Sequence, residues 1–221
     1  MPLWLAADPL MLASKSASRR AVLESAGVPI DIEPADVDER EIETRAGFDD
    51  PGKVAALLAR EKAKAVSAKH PGRIVLGADQ TLALGKRRFS KAPNRAVARE
   101  QVAALRGMVH TLHSAVAVMR GGAVLFETVD AAHLTMRKFS DAFLDSYLDT
   151  VGDKVLSSVG GYQLEGVGIQ LFDRVEGDHF TVLGLPLIAV AMLAGLFLNS
   201  QGGRGGGELV FSPADLELLV R

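Results

Sequence analysis

The sequence predicts a mixed α/β fold, with helices flanking a mixed sheet. Three observations lead there. Apolar residues fill 48% of the 221 positions and charged residues 24%, a balance that can bury one full core. Strand-like runs occur both as hairpins around glycine turns and as single segments between helices, which excludes a pure array of parallel crossovers. No apolar run reaches the roughly 20 residues of a bilayer span. The longest, Leu185–Leu198, reads as a buried helix with Pro186 in its first turn.

The elements follow in order. The apolar start MPLWLAADPLMLA has no basic leader, and Asp8 interrupts it, so it reads as a strand and not as a signal peptide. Leu10–Ala13 is a buried strand running into SKSASRR and a short helix, Ala21–Ser25, stopped by Gly27. Val54–Val66 has helical periodicity, with Val54, Leu57 and Leu58 on its apolar face. Ile74–Gly77 is a short buried strand. Asn94 caps a helix over Asn94–Arg106 that ends at Gly107. Ser114–Met119 and Ala123–Met136 form a hairpin around Gly121-Gly122. Ser140 caps a further helix, and Phe139 is placed to staple onto Leu144. Gly168–Val175 and His179–Leu183 suggest a second hairpin turned at Glu176-Gly177-Asp178. Residues 1–200 form the main domain. Residues 201–221 hold the Gly-rich linker QGGRGGG and a short helix over Pro213–Val220, with Ser212 as cap.

Composition narrows the chemistry. The absence of cysteine removes disulfides, thiolate nucleophiles and cysteine-based zinc sites, and fits a cytoplasmic protein. A net charge of −2 argues against a chain that holds nucleic acid by its overall charge. The five histidines form no HExxH signature and read as structural or surface residues, and no GxSxG nucleophile elbow is present.

Polar residues gather where apolar segments end. Ser14, Lys15, Ser16, Ser18, Arg19 and Arg20 meet at a strand-to-helix turn, where hydroxyls, backbone N–H groups and guanidinium forks suit a polyphosphate. By itself this cluster also reads as a serine-capped helix start. Asp36, Asp38, Glu39 and Glu41 are closely spaced carboxylates that suit a hard divalent cation, or simply an acidic loop. Asp79-Gln80 ends an apolar strand beside small Gly77 and Ala78, well placed to face a ligand or to cap a turn. Lys91 and Pro93 follow the charged hairpin tip GKRRFS. Gly160 to Gly168 carries four glycines in nine residues, which lets backbone approach a flat ligand, and Glu165 within it can accept from a base edge.

The order of these clusters is more specific than any one of them. LASKSASRR, DVDER, LAREKAKAV, VLGADQTL, SKAP, YQLEGVG and TVLGLPL run in the order of the Maf family, the septum-formation-inhibitor-like nucleoside triphosphate pyrophosphatases. The chain resembles this family from about Leu10 to about Leu193. The resemblance implies an inosine-triphosphatase-like α/β fold with a cleft between two lobes. It implies metal-dependent hydrolysis of a nucleoside triphosphate to the monophosphate and pyrophosphate, with Mg2+ or Mn2+ as cofactor. On this sequence Asp79 matches the catalytic aspartate and a metal ligand, and Glu39 a carboxylate near the metal. Ser14, Lys15, Ser16, Arg19 and Arg20 fall in the phosphate motif, and Lys62 and Lys91 match cleft lysines.

Gln80 and Glu165 stand where family members acting on dTTP and UTP carry threonine and glutamine, and resemble the 7-methyl-GTP subgroup. Ser18 takes the place of that subgroup's aromatic residue, and Ala17 that of the motif's proline. A carboxylate at 165 suits guanine N1–H and N2–H, and a cationic methylated ring adds Coulomb attraction. The expected partner is therefore a nucleoside triphosphate, with no nucleic acid and no membrane, and a homodimer is allowed. The alternatives are a dTTP/UTP pyrophosphatase and a nucleotide-binding septation regulator without significant turnover.

Overall fold

Ten residues, Val75–Leu84 (β3), form the middle of a seven-stranded mixed sheet. The computed structural model describes residues 4 and 6–191. Parallel to the start of β3 runs β1 (Leu10–Leu12), with Met11 opposite Val75 and Leu12 opposite Leu76. Outside it lies β2 (Ile30–Ile32), also parallel. The far end of β3 pairs antiparallel with β4 (Arg87–Phe89), from Leu82 to Leu84. Between β1 and β4, the stretch Gly77–Thr81 has a ladder neighbour on one side only, β5 (Val109–Arg120). This gap in the sheet decides where the polar groups described below can gather. β5 folds back on β6 (Ala123–Met136) at Gly121 and Gly122, whose φ values of 57° and 82° suit a tight hairpin that L side chains resist. β7 (Phe172–Glu176) completes the order β2-β1-β3-β5-β6-β7.

The helices start where the chain supplies side-chain caps. Ser16 caps α1 (Ala17–Ser25), Asp38 caps α2 (Glu39–Ala46), and Asp50 caps α3 (Pro51–Ser67), with Pro51 in its first turn. Asn94 caps α4 (Arg95–Leu105), Ser140 caps α5 (Asp141–Val151), and Asp178 caps α6 (His179–Val182). The core falls into three clusters. Ala55, Ala59, Ala63 and Val66 of α3 pack on Val75, Ala115 and Ala117 of one sheet face. Leu23 of α1 and Leu185 pack on Leu76, Ala78 and Val116 of the other. The larger cluster gathers α4, α5 and the far ends of β3, β5 and β6 around Leu105, Leu134 and Leu144.

The mixed sheet, the Gly121-Gly122 hairpin and the Asn94 and Ser140 caps are as expected. Several expectations need correction. α1 begins at Ala17, because the Ser16 hydroxyl accepts from Arg19 N at 3.4 Å and nucleates the turn four residues early. The strand expected at Ile74–Gly77 extends to Leu84, because alternate residues serve different faces instead of one apolar run. The acidic loop is partly helix α2. Its signal, Asp38 with Glu41 three residues on, is a capping-box spacing. The second hairpin does not exist. Phe172–Glu176 pairs with β6, but Asp178 accepts from Thr181 N at 3.0 Å and turns His179–Val182 into a helix. Phe139 packs against the cluster that holds Leu144, and its ring also lies 5.4 Å from that of Phe143.

At the start, residues 6–8 form a bend instead of a strand, and residues 187–191 begin a helix after Pro186. The rest of the helix expected over Leu185–Leu198, the Gly-rich linker and the helix expected over Pro213–Val220 lie outside the described residues. No described helix is long and apolar enough to cross a membrane.

Candidate active site

Alternation along β3 sends neighbouring residues to opposite faces of the sheet. Val75, Gly77, Asp79 and Thr81 face α3, and Leu76, Ala78, Gln80 and Leu82 face the other way. The approach of α3 is set by Gly77. A Cβ there would lie 2.6 Å from Ala63 N and 2.9 Å from Ala63 Cβ, and would also strike the Ala59 carbonyl. Gly77 thus serves helix-on-strand packing. That close seam brings Lys62 of α3 onto Asp79, with Nζ donating to Oδ1 at 2.6 Å. The same ammonium lies 2.8 Å from Glu39 Oε1 in the first turn of α2. The Lys62 and Asp79 side chains are each 11% exposed, whereas Glu39 is 49% exposed, so one carboxylate is built into the fold and the other reaches in from solvent. Burial pushes the Asp79 carboxyl above the ordinary carboxylate range, against Lys62 and Arg19, which pull it down.

Arg19 fills the gap in the sheet. Its Nη1 donates to the Ala78 carbonyl at 2.9 Å, a group left without a strand partner between β1 and β4, and to Ser14 Oγ at 3.1 Å. Its Nε donates to the Gly184 carbonyl at 2.8 Å. The guanidinium is buried, and Asp79 and Glu39 compensate part of its desolvation. Ser14 Oγ also accepts from Ser16 N at 3.2 Å, and Ser16 Oγ shares a hydrogen bond with Ser18 Oγ at 3.0 Å. Ser14, Ser16, Ser18 and Arg19 therefore form one connected turn at the end of β1. Gly184, in the TVLGLPL segment, joins this turn although its residue type gives no sign of it. With φ of 88°, it turns its carbonyl to Arg19 where a Cβ would sit 3.5 Å from Nε and Nη2.

Gln80 points away from Asp79. Its Nε2 donates to Ser114 Oγ at 2.9 Å and to the carbonyls of Thr181 and Val182 at 3.0 and 3.1 Å. The amide nitrogen is consumed in holding α6 to the sheet, which leaves only its carbonyl oxygen for a ligand.

The other residues expected at the site are not drawn in. Arg20 is exposed and pairs with Glu24 at 2.7 Å along its own helix. Lys15, Lys91 and Glu165 are exposed, and their side chains make no hydrogen bond or ion pair among the described residues. Of the acidic stretch, Asp36 is exposed, Asp38 is spent as the α2 cap, and Glu39 alone reaches Lys62. The glycine-rich loop is closely packed. Gly160 makes room for Leu82 and Tyr162, Gly161 for Val102 and Val155, and Gly168 lies against the Gln163 backbone. These glycines serve the packing of the loop itself.

A divalent cation can be weighed against this donor set. Asp79 and Glu39 converge on one point, now marked by the Lys62 ammonium. Mg2+ takes one or two carboxylates together with phosphate and water oxygens, and two converging carboxylates fit that demand. No group of three or more His, Asp or Glu among the described residues could hold an ion, so the fit is to a cation that arrives with phosphate oxygens.

The family model described as Maf-like protein matches residues 9–195. The chain is 56% identical over 201 residues to a nucleoside triphosphate pyrophosphatase of Rhodopseudomonas palustris, covering 91% of this chain and 98% of that protein. It is 54% identical to the protein of that name in Bradyrhizobium diazoefficiens, with the same coverage. It is 48% identical over 182 residues to a 7-methyl-GTP pyrophosphatase of Rhizobium etli, covering 81% of this chain and 91% of that one. A solved HAM1 protein from Coxiella burnetii overlaps 58% of this chain and 72% of its own at 17% identity, with a TM-score of 0.38, too low to bear on the fold. The matched stretch contains every strand of the sheet and the whole Arg19, Lys62 and Asp79 cluster, and the chain belongs to the Maf family.

Proposed function

We propose that this protein hydrolyses a nucleoside triphosphate to the monophosphate and pyrophosphate, with 7-methyl-GTP or another modified nucleotide as the favoured substrate. The observation that carries the reading is the buried Asp79 carboxylate at a gap in the sheet, hydrogen-bonded by Lys62 and within the field of Arg19, which bonds the neighbouring Ala78 carbonyl. Relatives named for this activity match over nine-tenths of the chain, and one named for 7-methyl-GTP supports the finer choice.

The reaction needs a water aligned on the α-phosphorus and cations for the charge that develops on the leaving group. In this reading Asp79 orients that water and takes its proton as the new P–O bond forms. The bond from the α-phosphorus to the bridging oxygen breaks, and pyrophosphate leaves with the electron pair. Burial makes Asp79 a stronger base than an exposed aspartate, which helps the proton transfer. Lys62 exchanges part of its contact with Asp79 and Glu39 for phosphate oxygens. Arg19 holds the Ser14 turn in shape from behind, while Lys15, Ser16, Arg20 and Lys91 meet the outer phosphates. A divalent cation held by Asp79 and Glu39 would supply Lewis-acid stabilisation of phosphate oxygens. Glu165 accepts from the guanine edge, and Ser18 and Gln80 border the nucleoside.

The test is pyrophosphate release from 7-methyl-GTP, GTP, dTTP and UTP, with and without Mg2+ or Mn2+. Faster release from 7-methyl-GTP than from dTTP, lost on chelation, is expected. A dTTP preference overturns the substrate choice. Nucleotide binding without pyrophosphate overturns the enzymatic reading in favour of a regulator.

A further inference from the structure

The strand residue His110 and the loop residue Tyr162 form a buried polar contact remote in sequence from Asp79, and we propose that this contact positions Glu165 and thereby sets base selectivity. The inference rests on the reading of Glu165 as the base-facing carboxylate. His110 lies on β5 and is 1% exposed, and its Nε2 is 2.7 Å from the Tyr162 hydroxyl. The Tyr162 ring meets Phe172 edge-on at 4.8 Å. Two further bonds fix the same end of the loop: the Tyr147 hydroxyl donates to the Gly161 carbonyl at 2.9 Å, and Ser158 Oγ donates to the Tyr162 carbonyl at 2.6 Å.

Beyond Tyr162 the loop is a small closed unit. Gly166 N donates to the Gln163 carbonyl at 3.2 Å, and Gly168 packs on the Gln163 backbone. Glu165 sits on that unit, exposed. On the α5 side a cavity of about 370 Å³ is bordered by Val151, Lys154 and Val167, so the unit is held by Leu164 packed on the core, by Gln163 Nε2 donating to Ser157 Oγ at 3.4 Å, and by Tyr162. Of these, the Tyr162 hydroxyl makes the hydrogen bond that ties the unit to β5, three residues before Glu165.

The contact is a poor device for stability alone. Burial lowers the His110 imidazole to about 4, so the ring is neutral at physiological pH and carries one N–H. If the Tyr162 hydroxyl donates to Nε2, the proton sits on Nδ1, which has no partner among the described residues. If Nε2–H donates instead, the hydroxyl proton is the one left without a partner in that contact. An apolar pair of the same shape avoids either cost. What the polar pair adds is a fixed distance and angle between β5 and the loop.

The experiment uses Tyr162→Phe, His110→Leu and the double variant in the full chain. Each single variant strands one buried polar group and should lower Tm by about 3–6 °C, whereas the double variant should return to within about 2 °C of the parent. Selectivity should not return. In all three variants the ratio of kcat/KM for 7-methyl-GTP over dTTP should fall about tenfold, mainly through a higher KM for 7-methyl-GTP. A double variant that regains both stability and selectivity overturns the proposal and leaves the contact merely structural. Glu165→Gln separates the two readings. If it leaves the ratio unchanged, the assignment of Glu165 fails. If it collapses the ratio while Tyr162→Phe does not, Glu165 stands and the positioning role of His110 and Tyr162 fails.

Discussion

At the Asp79 end of the site, Lys62 lies 2.6 Å from one carboxylate and 2.8 Å from another, and Arg19 is buried against two carbonyls and a serine. At the Glu165 end, the carboxylate stands exposed on a turn, anchored to the sheet only through its neighbours. The first end is held by sheet and helix packing and needs little reorganisation when phosphates arrive. The second is held by the Tyr162 hydrogen bond to β5, a bond from Gln163 to Ser157 and the packing of Leu164, while the carboxylate itself makes no hydrogen bond or ion pair among the described residues. Chemistry common to all triphosphates suits the rigid end, and the choice of base suits the adjustable one.

Substitutions at the rigid end should break catalysis for every nucleotide alike. Asp79→Asn should lose about 10³-fold in kcat while keeping its circular-dichroism spectrum and melting within a few degrees of the parent. Near-parental turnover would remove Asp79 from its role. The same residue sets the pH response. Activity requires the ionised carboxylate, so kcat/KM should fall as pH drops through a pKa above the ordinary value of about 4. Stability should move the opposite way. A carboxyl raised by folding binds more protons folded than unfolded, so its contribution is present at low pH and lost as pH rises through the folded pKa. Parallel pH profiles of kcat/KM and Tm check both signs, and Asp79→Asn should flatten the Asp79 contribution to each.

Arg19→Ala comes next. It leaves the Ala78 and Gly184 carbonyls without the Arg19 donor and removes one of the two donors to Ser14 Oγ, and should cost about 2–4 kcal/mol in stability as well as most activity. Denaturant titration reads the first and pyrophosphate release the second. Gly77→Ala should destabilise by about 1–3 kcal/mol through overpacking of α3 on β3. It should also lower activity by moving Lys62 off Asp79, although neither charged residue is changed. Smallest is Arg20→Ala, whose side chain pairs only with exposed Glu24. It should leave Tm unchanged and raise KM a few-fold, and a loss as large as that of Arg19→Ala would show that Arg20 turns inward when substrate binds.

Much of this was legible from residue order. Buried strands, capped helices and the Gly121-Gly122 hairpin follow from local rules that tertiary contacts did not overturn, because cap, periodicity and turn agreed at each. The failures have local causes. Asp178 can end a turn or start a helix, and only its bond to Thr181 N decides which. The acidic stretch 36–41 reads as one cluster, yet Asp38 is spent as the α2 cap, Glu39 alone reaches Lys62, and Asp36 and Glu41 stay exposed. Gln80 follows Asp79 in sequence, and the pleat sends the two to opposite faces.

The sequence by itself determined the family, the mixed α/β class and the residues that can carry charge. It did so because those properties depend on residue type, spacing and order along the chain. Tertiary structure alone decided that Arg19 is the inner arginine and Arg20 the outer, that Lys62 joins Asp79 to Glu39, and that His110 meets Tyr162. These pairings join strands and helices far apart in the chain. They are fixed by where β1 stops and β4 begins along β3, and by how closely α3 can approach Gly77, distances that no local pattern encodes.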